Sequence, residues 1–348
     1  MIMKQFVKNI VIFGLPFFSI FIIYIVTDVY KVIYHYNPYT DPKYYVVVNR
    51  AYASTMTYIN QKDIYQYDSF ILGNSRSMFY EIDTWKQYLP YGSKCIHFDE
   101  NGGSISGVHD KIIFIDKTGG HINNVLLVID YDLLSCLEQK TGYLYIAPPI
   151  LKGYDNFMDF HIQHFKAFLT PGFLYALIDY KIYGEYRPYM ETYISRGNST
   201  YIPEYNEFHK TTTEQQIVEG TYYDSERLKI FENVQKPNEH STEILDSQGI
   251  HYLRAMKAVF DKHHTSYKIV ISPLYNQVKL NPSTHKILCE IFGKDNIYDF
   301  SGVNKWNIDY HNYYENSHYR PIVASEIMNI IYTDRYYKGE WRGNNDSL

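Results

Sequence analysis

The 348-residue sequence has few cysteines and no cluster of them. Its three, Cys95, Cys136 and Cys289, lie far apart and include no C-x-x-C pair. An odd, scattered set of this kind argues against a disulfide framework and against a zinc site. The histidines also lack metal-ligand spacing with acidic partners. We therefore expect neither a metal nor another cofactor.

The sequence also lacks a run rich in lysine and arginine. Its formal net charge of -5 at pH 7 is spread along the chain, so no segment is suited to neutralising a row of phosphates. Nucleic acid is therefore excluded as a partner. There is no internal repeat or low-complexity tract, and at 45% hydrophobic residues the chain is expected to bury a substantial core.

One long apolar run is present near the N-terminus. Residues 9–27 carry no charge and are long enough to cross a bilayer as a helix. Lys4 and Lys8 precede the run and favour a cytoplasmic N-terminus, a bias that Lys31 on the other flank weakens. We expect an uncleaved transmembrane anchor within residues 1–30, with the rest of the chain on the periplasmic or extracellular side. A cleaved signal peptide and a buried core helix are the alternatives, although no small-x-small cleavage site follows the run.

After this region, short apolar runs of strand length alternate with segments of helical spacing. Buried parallel strands are expected at residues 69–72, 95–98, 125–129, 269–272 and 297–300, and helices at 78–89, 105–115, 250–263, 283–292 and 321–332. The alternation predicts an α/β fold, with a doubly wound parallel sheet and helices on both of its faces.

Three segments do not fit this alternation. Residues 31–66 are rich in Tyr, Asn and Asp and are expected to form a stalk or linker before an α/β domain at 67–335. Residues 134–245 are interrupted by Tyr, Pro and Gly, and are expected to form an insert or cap over the carboxyl edge of the sheet, where such elements usually shape a substrate site. The last residues, 336–348, are expected to be a polar, frayed tail.

A serine, a histidine and a carboxylate are predicted to meet at this edge. Ser75 follows the first predicted strand, where the helix beginning near Ser77 would direct its positive dipole end at the hydroxyl. A serine nucleophile needs a base, and the base needs an orienting carboxylate. His318 and Glu315 follow the last strand, so all three are expected where such sheets bind ligands. An isolated Asn-Ser pair at a strand end is also a common helix cap.

Ser75 in Gly-Asn-Ser and His318 in Glu315-x-x-His318 resemble the first and last blocks of the SGNH (GDSL-like) hydrolase superfamily, Gly-Asp-Ser and Asp-x-x-His. The resemblance covers the α/β domain outside the insert. It implies a flavodoxin-like three-layer fold, with the serine as nucleophile and the histidine as base. Asn74 replaces the usual aspartate, as is common among acyl-transfer relatives. Glu315 replaces the usual acid before the histidine, and Asp309 is the alternative carboxylate.

The resemblance also implies an oxyanion hole. Its second block contributes a glycine amide, here Gly102 or Gly103 after the second predicted strand, although a Gly-Gly pair is also an ordinary turn. The third block normally contributes an asparagine, which this sequence lacks at the corresponding place. Either Asn101 supplies the missing amide, or the hole depends on the backbone amides of Ser75 and Gly103.

Four charged residues are candidates for substrate binding. Asp130 and Asp132 stand where the third block would have its asparagine, and an ionised aspartate there would repel a developing oxyanion. Arg76 and Arg320 flank the nucleophile and the base in sequence and are suited to an anionic substrate or a carboxylate. Surface salt bridges of little consequence are the alternative for the two arginines.

An anchored SGNH-like domain with a large insert resembles the cell-envelope acyl-transfer branch of the superfamily, which includes alginate O-acetylation proteins and the D-alanyl transfer protein of teichoic acid. The resemblance implies a serine esterase or O-acyltransferase that forms an acyl-Ser75 intermediate and acts on O-acyl groups, above all O-acetyl groups, of an envelope polysaccharide. The implied partners are that polysaccharide or its acyl donor, the lipid bilayer and a multi-pass membrane acyltransferase.

Two other functions remain open from the sequence. In the first, the chain is a catalytically silent binding or scaffold subunit of a polysaccharide-modification complex. In the second, it is a structural membrane protein, in which Ser75 caps a helix and His318 packs in the core.

Overall fold

The structure is a computed structural model that describes residues 2–41, 45–138, 140–195, 199–242 and 244–333; within the N-terminal helix, the side chains of residues 2–4, 6–13, 16 and 17 are not among those described. The predicted polar tail, 336–348, lies outside the described residues. The helices are α1 (Ile2–Thr27), α2 (Arg50–Tyr65), α3 (Ile82–Lys86), α4 (Ile105–Lys117), α5 (Tyr131–Ser135), α6 (Phe157–Phe168), α7 (Pro171–Tyr183), α8 (Thr211–Val218), α9 (Ser225–Leu228), α10 (Ser247–His263), α11 (Pro282–Phe292) and α12 (Pro321–Thr333). The strands are β1 (Ser69–Gly73), β2 (Cys95–His97), β3 (Asn124–Ile129), β4 (Thr200–Ile202), β5 (Glu207–His209), β6 (Ser266–Ile271), β7 (Ile297–Asp299), β8 (Tyr313–Glu315) and β9 (His318–Tyr319).

A five-stranded parallel sheet forms the centre of the fold, in the order β2-β1-β3-β6-β7. Strand β1 lies between β3 and β2. Its residue Ile71 lies opposite Leu126 of β3 on one side and opposite His97 of β2 on the other. Parallel strands need long crossover connections, which are usually helical, and helices occupy the connections here. The predicted α/β fold with a parallel sheet is confirmed.

Helices cover both faces of the sheet. Because successive side chains of a strand point to opposite faces, Leu72 and Leu127 enter a core formed with α4, α10 and α11. Ile71, Leu126 and Val128 enter a second core formed with α3 and α12. The arrangement of helices, sheet and helices is a three-layer α/β architecture.

Residues 50–65 differ from the predicted linker. They form α2, which begins after Asn49, whose side chain accepts from the Tyr52 amide at 2.9 Å. The Tyr58 ring of α2 stacks on Phe98 at 5.2 Å between centroids, within the core that contains α4. The folded domain therefore includes α2 and begins before residue 67.

The chain between α5 and α10, where the sequence predicts an insert, forms α6 to α9 and an antiparallel β4–β5 hairpin. Its helix α6 packs against the C-terminal end of α1, where the Tyr24 ring lies 5.2 Å from Phe165 and 5.3 Å from Phe168. These residues belong to a third hydrophobic core that is separate from the sheet.

The predicted anchor at residues 9–27 falls within α1. The side chains of residues 9–13, 16 and 17 in this segment are not among those described. In the part of the chain that the structure describes, no helix is both long and apolar enough to cross a membrane.

Candidate active site

Ser75 lies at the carboxyl end of β1, next to the middle of the sheet. Gly73 ends the strand with φ of +149°, and a Cβ atom there would lie 2.3 Å from the carbonyl oxygen of Val128. Only glycine therefore allows β1 to approach β3 this closely before the chain turns. Asn74 then caps a 3-10 helix at Ser75–Phe79, its side chain accepting from the Arg76 amide at 3.0 Å. The turn leaves the Ser75 side chain half-buried and open to a cleft.

His318 reaches Ser75 from the hairpin formed by β8 and β9. Its Nε2 lies 2.7 Å from Ser75 Oγ, and its Nδ1 contacts a carboxylate oxygen of Glu315, its pairing partner in the hairpin. The other oxygen of Glu315 accepts from the Ser317 amide at 2.8 Å. The predicted nucleophile, base and acid are thus joined in a serine–histidine–glutamate chain. Asp309 instead contacts His311, at 2.7 Å.

Glu315 is in the ionised form that an orienting carboxylate needs. Its burial raises its pKa, but the hydrogen bonds with His318 and the Ser317 amide, together with the charge of Lys210, bring that pKa below its usual value. With Nδ1 donating to this carboxylate, Nε2 of His318 is free to accept the proton of Ser75.

Arg76 contacts Asp130 and Asp132, so these three predicted substrate-binding residues are paired with one another, and their binding of substrate stays a prediction. Its guanidinium donates to Asp130 at 2.7 Å and to Asp132 at 3.1 Å. Asp130 also accepts from the Asn74 side chain at 2.7 Å. Burial lowers the pKa of Arg76, yet the two carboxylates raise it overall, so Arg76 stays charged and engaged. Arg76 and Asp130 form a buried ion pair, whereas the side chain of Asp132 is half exposed, so the Arg76–Asp130 pair is not a loose surface salt bridge.

Arg320 is engaged in the same way. It donates to Glu214 at 2.5 Å and to the carbonyl of His311 at 2.9 Å. Its hydrogen bonds with Glu214 raise its pKa. Arg320 therefore fastens α8 of the insert to the loop before β8, and the prediction that it binds an anionic substrate is not supported by its contacts.

The cleft beside Ser75 has a volume of about 360 Å³. His318 and Asn101 line it together with Ser75. Of the residues predicted as oxyanion donors, Asn101 therefore lines this cleft together with Ser75. Gly102 lies against the Tyr145 ring instead, and a Cβ atom there would be 3.0 Å from it.

Gly103 lies against a buried carboxylate. A Cβ atom at Gly103 would lie 2.7 Å from Oε1 of Glu100, and Glu100 forms a buried ion pair with Lys111 at 2.8 Å. Asn101 lines the cleft beside Ser75 and Gly103 is not among its lining residues, so Asn101 is the better candidate of the two for an oxyanion donor.

The sequence predicts that the insert covers this edge of the sheet, but it does not identify which residues of the insert line the cleft. Phe208 in β5 and Lys210 directly after that strand line it together with Arg50 at the start of α2. No local pattern marks these residues, because a hairpin far along the chain carries them to Ser75. Only the buried contacts of that hairpin reveal the connection.

Buried polar contacts fix the hairpin to the sheet. Arg50 donates to Asp99 at 2.7 and 2.9 Å and to the Asn206 carbonyl at 2.7 Å. Glu207 is 2% exposed and accepts from the Ile82 amide at 2.6 Å. These contacts surround both residues that precede Phe208, so the hairpin is held rigidly at the edge of the cleft.

Two histidines complete the surroundings of Glu207. His97 of β2 contacts its carboxylate at 3.1 Å, and His209 contacts its other oxygen. Burial raises the pKa of Glu207, but the two histidines lower it overall to about 2. The hydrogen bonds with Glu207 and Glu81 raise the pKa of His209 to about 10. Glu207 and His209 therefore form an ion pair at neutral pH, and the contact of Glu207 with His97 joins the insert to the sheet.

Among the described residues, no three histidine, cysteine, aspartate or glutamate side chains gather closely enough to hold a metal ion. Comparison with known proteins identifies no relative: no protein-family model, curated protein or solved structure matches the chain.

Proposed function

We propose that the chain is a serine acyl-transfer enzyme of the SGNH type, acting on O-acyl groups, above all O-acetyl groups, of a cell-envelope polysaccharide. The observation that carries this proposal is the 2.7 Å contact between Ser75 Oγ and His318 Nε2, with Glu315 on the other ring nitrogen. Further support comes from the order of the five parallel strands, which is that of flavodoxin-like sheets. Ser75 follows β1 at the point where that order reverses, the usual ligand site of such sheets.

The proposed reaction has two balanced halves. Ser75 Oγ attacks the acyl carbonyl carbon while His318 Nε2 takes the hydroxyl proton. The carbon–oxygen bond to the donor alcohol then breaks, and His318 returns the proton to the leaving oxygen, which leaves acyl-Ser75. A sugar hydroxyl or water next attacks acyl-Ser75, again giving its proton to His318. The proton then passes to Ser75 Oγ as the ester bond breaks.

Glu315 and Asn101 have supporting roles in this proposal. Glu315 holds the imidazole in the tautomer that accepts at Nε2, and stabilises the imidazolium that forms. Asn101 lines the cleft and carries an amide N–H group of the kind that stabilises an oxyanion. It would take the place of the family's third-block asparagine, whose position Asp130 occupies.

The envelope setting rests on the sequence. The uncharged run at residues 9–27 supports attachment to the lipid bilayer, and Lys4 and Lys8 support a catalytic domain on the extracytoplasmic side. In that setting a membrane acyltransferase is a suitable source of acyl groups. The proposal predicts that the full chain stays with membranes through an alkaline carbonate wash, and that deletion of residues 9–27 releases it.

One observation favours the silent scaffold as the second candidate. The Glu100 carboxylate lies against Gly103, where the family resemblance implies an oxyanion donor. Gly103 is not among the residues that line the cleft beside Ser75, so a chain that depended on it for catalysis would lack that donor, yet could still bind a polysaccharide.

Turnover separates the two functions. We expect the purified full chain in detergent to release acetate from an acetylated oligosaccharide, and Ser75→Ala to abolish the release. Adding a non-acetylated oligosaccharide distinguishes transferase from esterase, because a transferase moves the acetyl group to the acceptor. A folded wild-type chain that binds the oligosaccharide without turnover would favour the scaffold.

A further inference from the structure

We propose that Lys210 forms an anion-binding subsite beside Ser75, and that the acylated polymer carries a carboxylate or phosphate group that this ammonium group recognises. The inference rests on the proposed acyl-transfer function and adds a substrate class to it.

Lys210 is placed in the same cleft as the serine and histidine. It immediately follows β5, and it lines the cleft with Ser75 and His318. Its ammonium group lies 4.5 Å from the centre of the Tyr314 ring and 5.5 Å from that of Phe79. The Phe79 ring packs edge-on against the His318 imidazole at 5.7 Å. Lys210 and His318 therefore share one aromatic wall.

Within the ranges that the structure describes, the ammonium group of Lys210 has no counter-ion in direct contact. Among the described residues, no carboxylate lies within ion-pair distance of it and no hydrogen-bond acceptor engages it. Glu315 and Glu214 are the acids whose charges act on it. Glu315 is engaged by His318 and the Ser317 amide, as described above, and Glu214 by Arg320 and the Tyr314 hydroxyl.

The other charged residues of the cleft are engaged as well. The guanidinium of Arg50 is bound to Asp99 and Asn206. Asp41, which lies on the exposed side of the cleft, acts electrostatically on Lys31. Lys210 thus carries the positive charge in the described part of the cleft that remains available to a ligand.

Electrostatics favour an anion at this position. Moving an ammonium group out of water costs free energy unless an opposite charge or acceptor compensates. Burial lowers the pKa of Lys210, and the charges of Glu315 and Glu214 oppose that effect. The aromatic rings supply partial compensation. A carboxylate or phosphate on the ligand would accept from the three N–H donors and complete the site.

The position of Lys210 is fixed, as a specificity residue requires. The strand before it carries Glu207, which is buried and bonded to the Ile82 amide and His97. Because this strand cannot slide without breaking those contacts, Lys210 presents its charge at a defined place relative to Ser75.

The kinetic test compares matched esters on the full chain in detergent. The pairs are acetylated methyl galactoside with acetylated methyl galacturonoside, and acetylated glycerol with acetylated glycerol phosphate. We expect a lower KM for at least one charged ester, and the two pairs distinguish a carboxylate from a phosphate. Lys210→Met should raise KM for that ester by about tenfold or more and should change KM for its neutral partner much less. Lys210→Arg should preserve the preference.

Lys268→Met is the matched control, since Lys268 also lies over aromatic rings, those of Tyr298 and Tyr332, and does not line the cleft. It should leave both pairs unchanged. A wild-type chain without charge preference would overturn the inference. So would a Lys210→Met chain that loses kcat equally on charged and neutral esters, because Lys210 would then act through Glu315 and His318.

A binding experiment separates this inference from the proposed function. Calorimetric titration of Ser75→Ala with oligogalacturonate, a neutral oligogalactoside of equal length and a glycerol phosphate oligomer needs no turnover. We expect a charged oligomer to bind more tightly, and Lys210→Met to remove the difference. Charge-selective binding with no turnover by the wild type would contradict the proposed function and leave the subsite standing. Turnover of neutral esters with no charge-selective binding would contradict the subsite alone.

Discussion

Arg76 and Ser317 join the two halves of the candidate site. Nε of Arg76 donates to the backbone carbonyl of Ser317 at 2.9 Å, directly before His318 in the chain. The same guanidinium holds Asp130 at the end of β3. The 3-10 helix that begins at Ser75 is therefore tied to the loop that carries His318, and we predict that Arg76 is a positioning residue.

Replacement of Arg76 tests whether its hydrogen bonds with Ser317 and Asp130 position His318. We expect Arg76→Lys to keep the charge but lose the fork of donors that reaches both Ser317 and Asp130. The resulting displacement of His318 should lower kcat by about a hundredfold, with a smaller effect on KM. Steady-state kinetics on a neutral acetyl ester measure both. Arg227→Lys, on the partly exposed surface, is the control, and an equal loss in both variants would argue against a positioning role.

Glu315 should be the carboxylate on which the base depends. Glu315→Gln keeps the shape of the side chain but removes the charge that stabilises the imidazolium. We expect kcat to fall about a thousandfold or more. Asp309→Asn should change kcat less than twofold, because Asp309 contacts His311. The reverse order of effects would assign the orienting role to Asp309.

Asn101 should act in the transition state alone. If its amide donates to the oxyanion, Asn101→Ala should lower kcat by about a hundredfold with KM unchanged. Asn329→Ala, on the exposed side of α12, is the matched control. A rise in KM with unchanged kcat would show that Asn101 binds substrate and does not stabilise the oxyanion.

The ion pair of Glu207 and His209 should make stability depend on pH. Glu207 has a folded pKa of about 2, below the unfolded value of about 4.3, so its contribution is present above pH ~4.3 and is lost as pH falls towards 2. His209 has a folded pKa of about 10, above the unfolded value of about 6.5. Its contribution is present below pH ~6.5 and is lost as pH rises towards 10.

The contributions of Glu207 and His209 to stability are both present only over a limited range of pH. His209→Gln should lower the thermal midpoint most between pH ~4.5 and ~6.5, and the difference from wild type should shrink at both ends of the scale. Thermal unfolding at a series of pH values measures this. A difference that stays constant from pH 3 to 10 would show that His209 stabilises the hairpin by packing alone.

The sequence predicts the sheet well and α2 poorly, for one physical reason. Strands such as 125–129 are short apolar runs, because both of their faces are buried. The buried side of α2 instead carries small and hydroxylated residues, including Ala53, Ser54 and Thr55. A pattern of hydrophobicity therefore finds the strands and passes over this helix. The helix expected at 78–89 is divided, because Ser75–Phe79 forms a 3-10 turn before α3.

The sequence likewise identifies some residues of the candidate site and not others. Ser75, Glu315 and His318 were identifiable because strand ends converge at one edge of a parallel sheet, and the structure brings them together. The pairing of Arg76 with Asp130 was not identifiable, because a side chain's partner depends on packing between distant strands. Lys210 was missed for the same reason, since an antiparallel hairpin in the insert brings it to the cleft.

Peptide mapping by mass spectrometry, after the full chain reacts with a fluorophosphonate, tests whether Ser75 and His318 form a catalytic dyad. We expect an adduct on Ser75 in the wild type, formation slowed by about a thousandfold in His318→Ala, and no such adduct in Ser75→Ala. A folded wild-type chain that stays unmodified at Ser75, or that reacts equally fast without His318, would contradict the claim that this pair is a catalytic dyad.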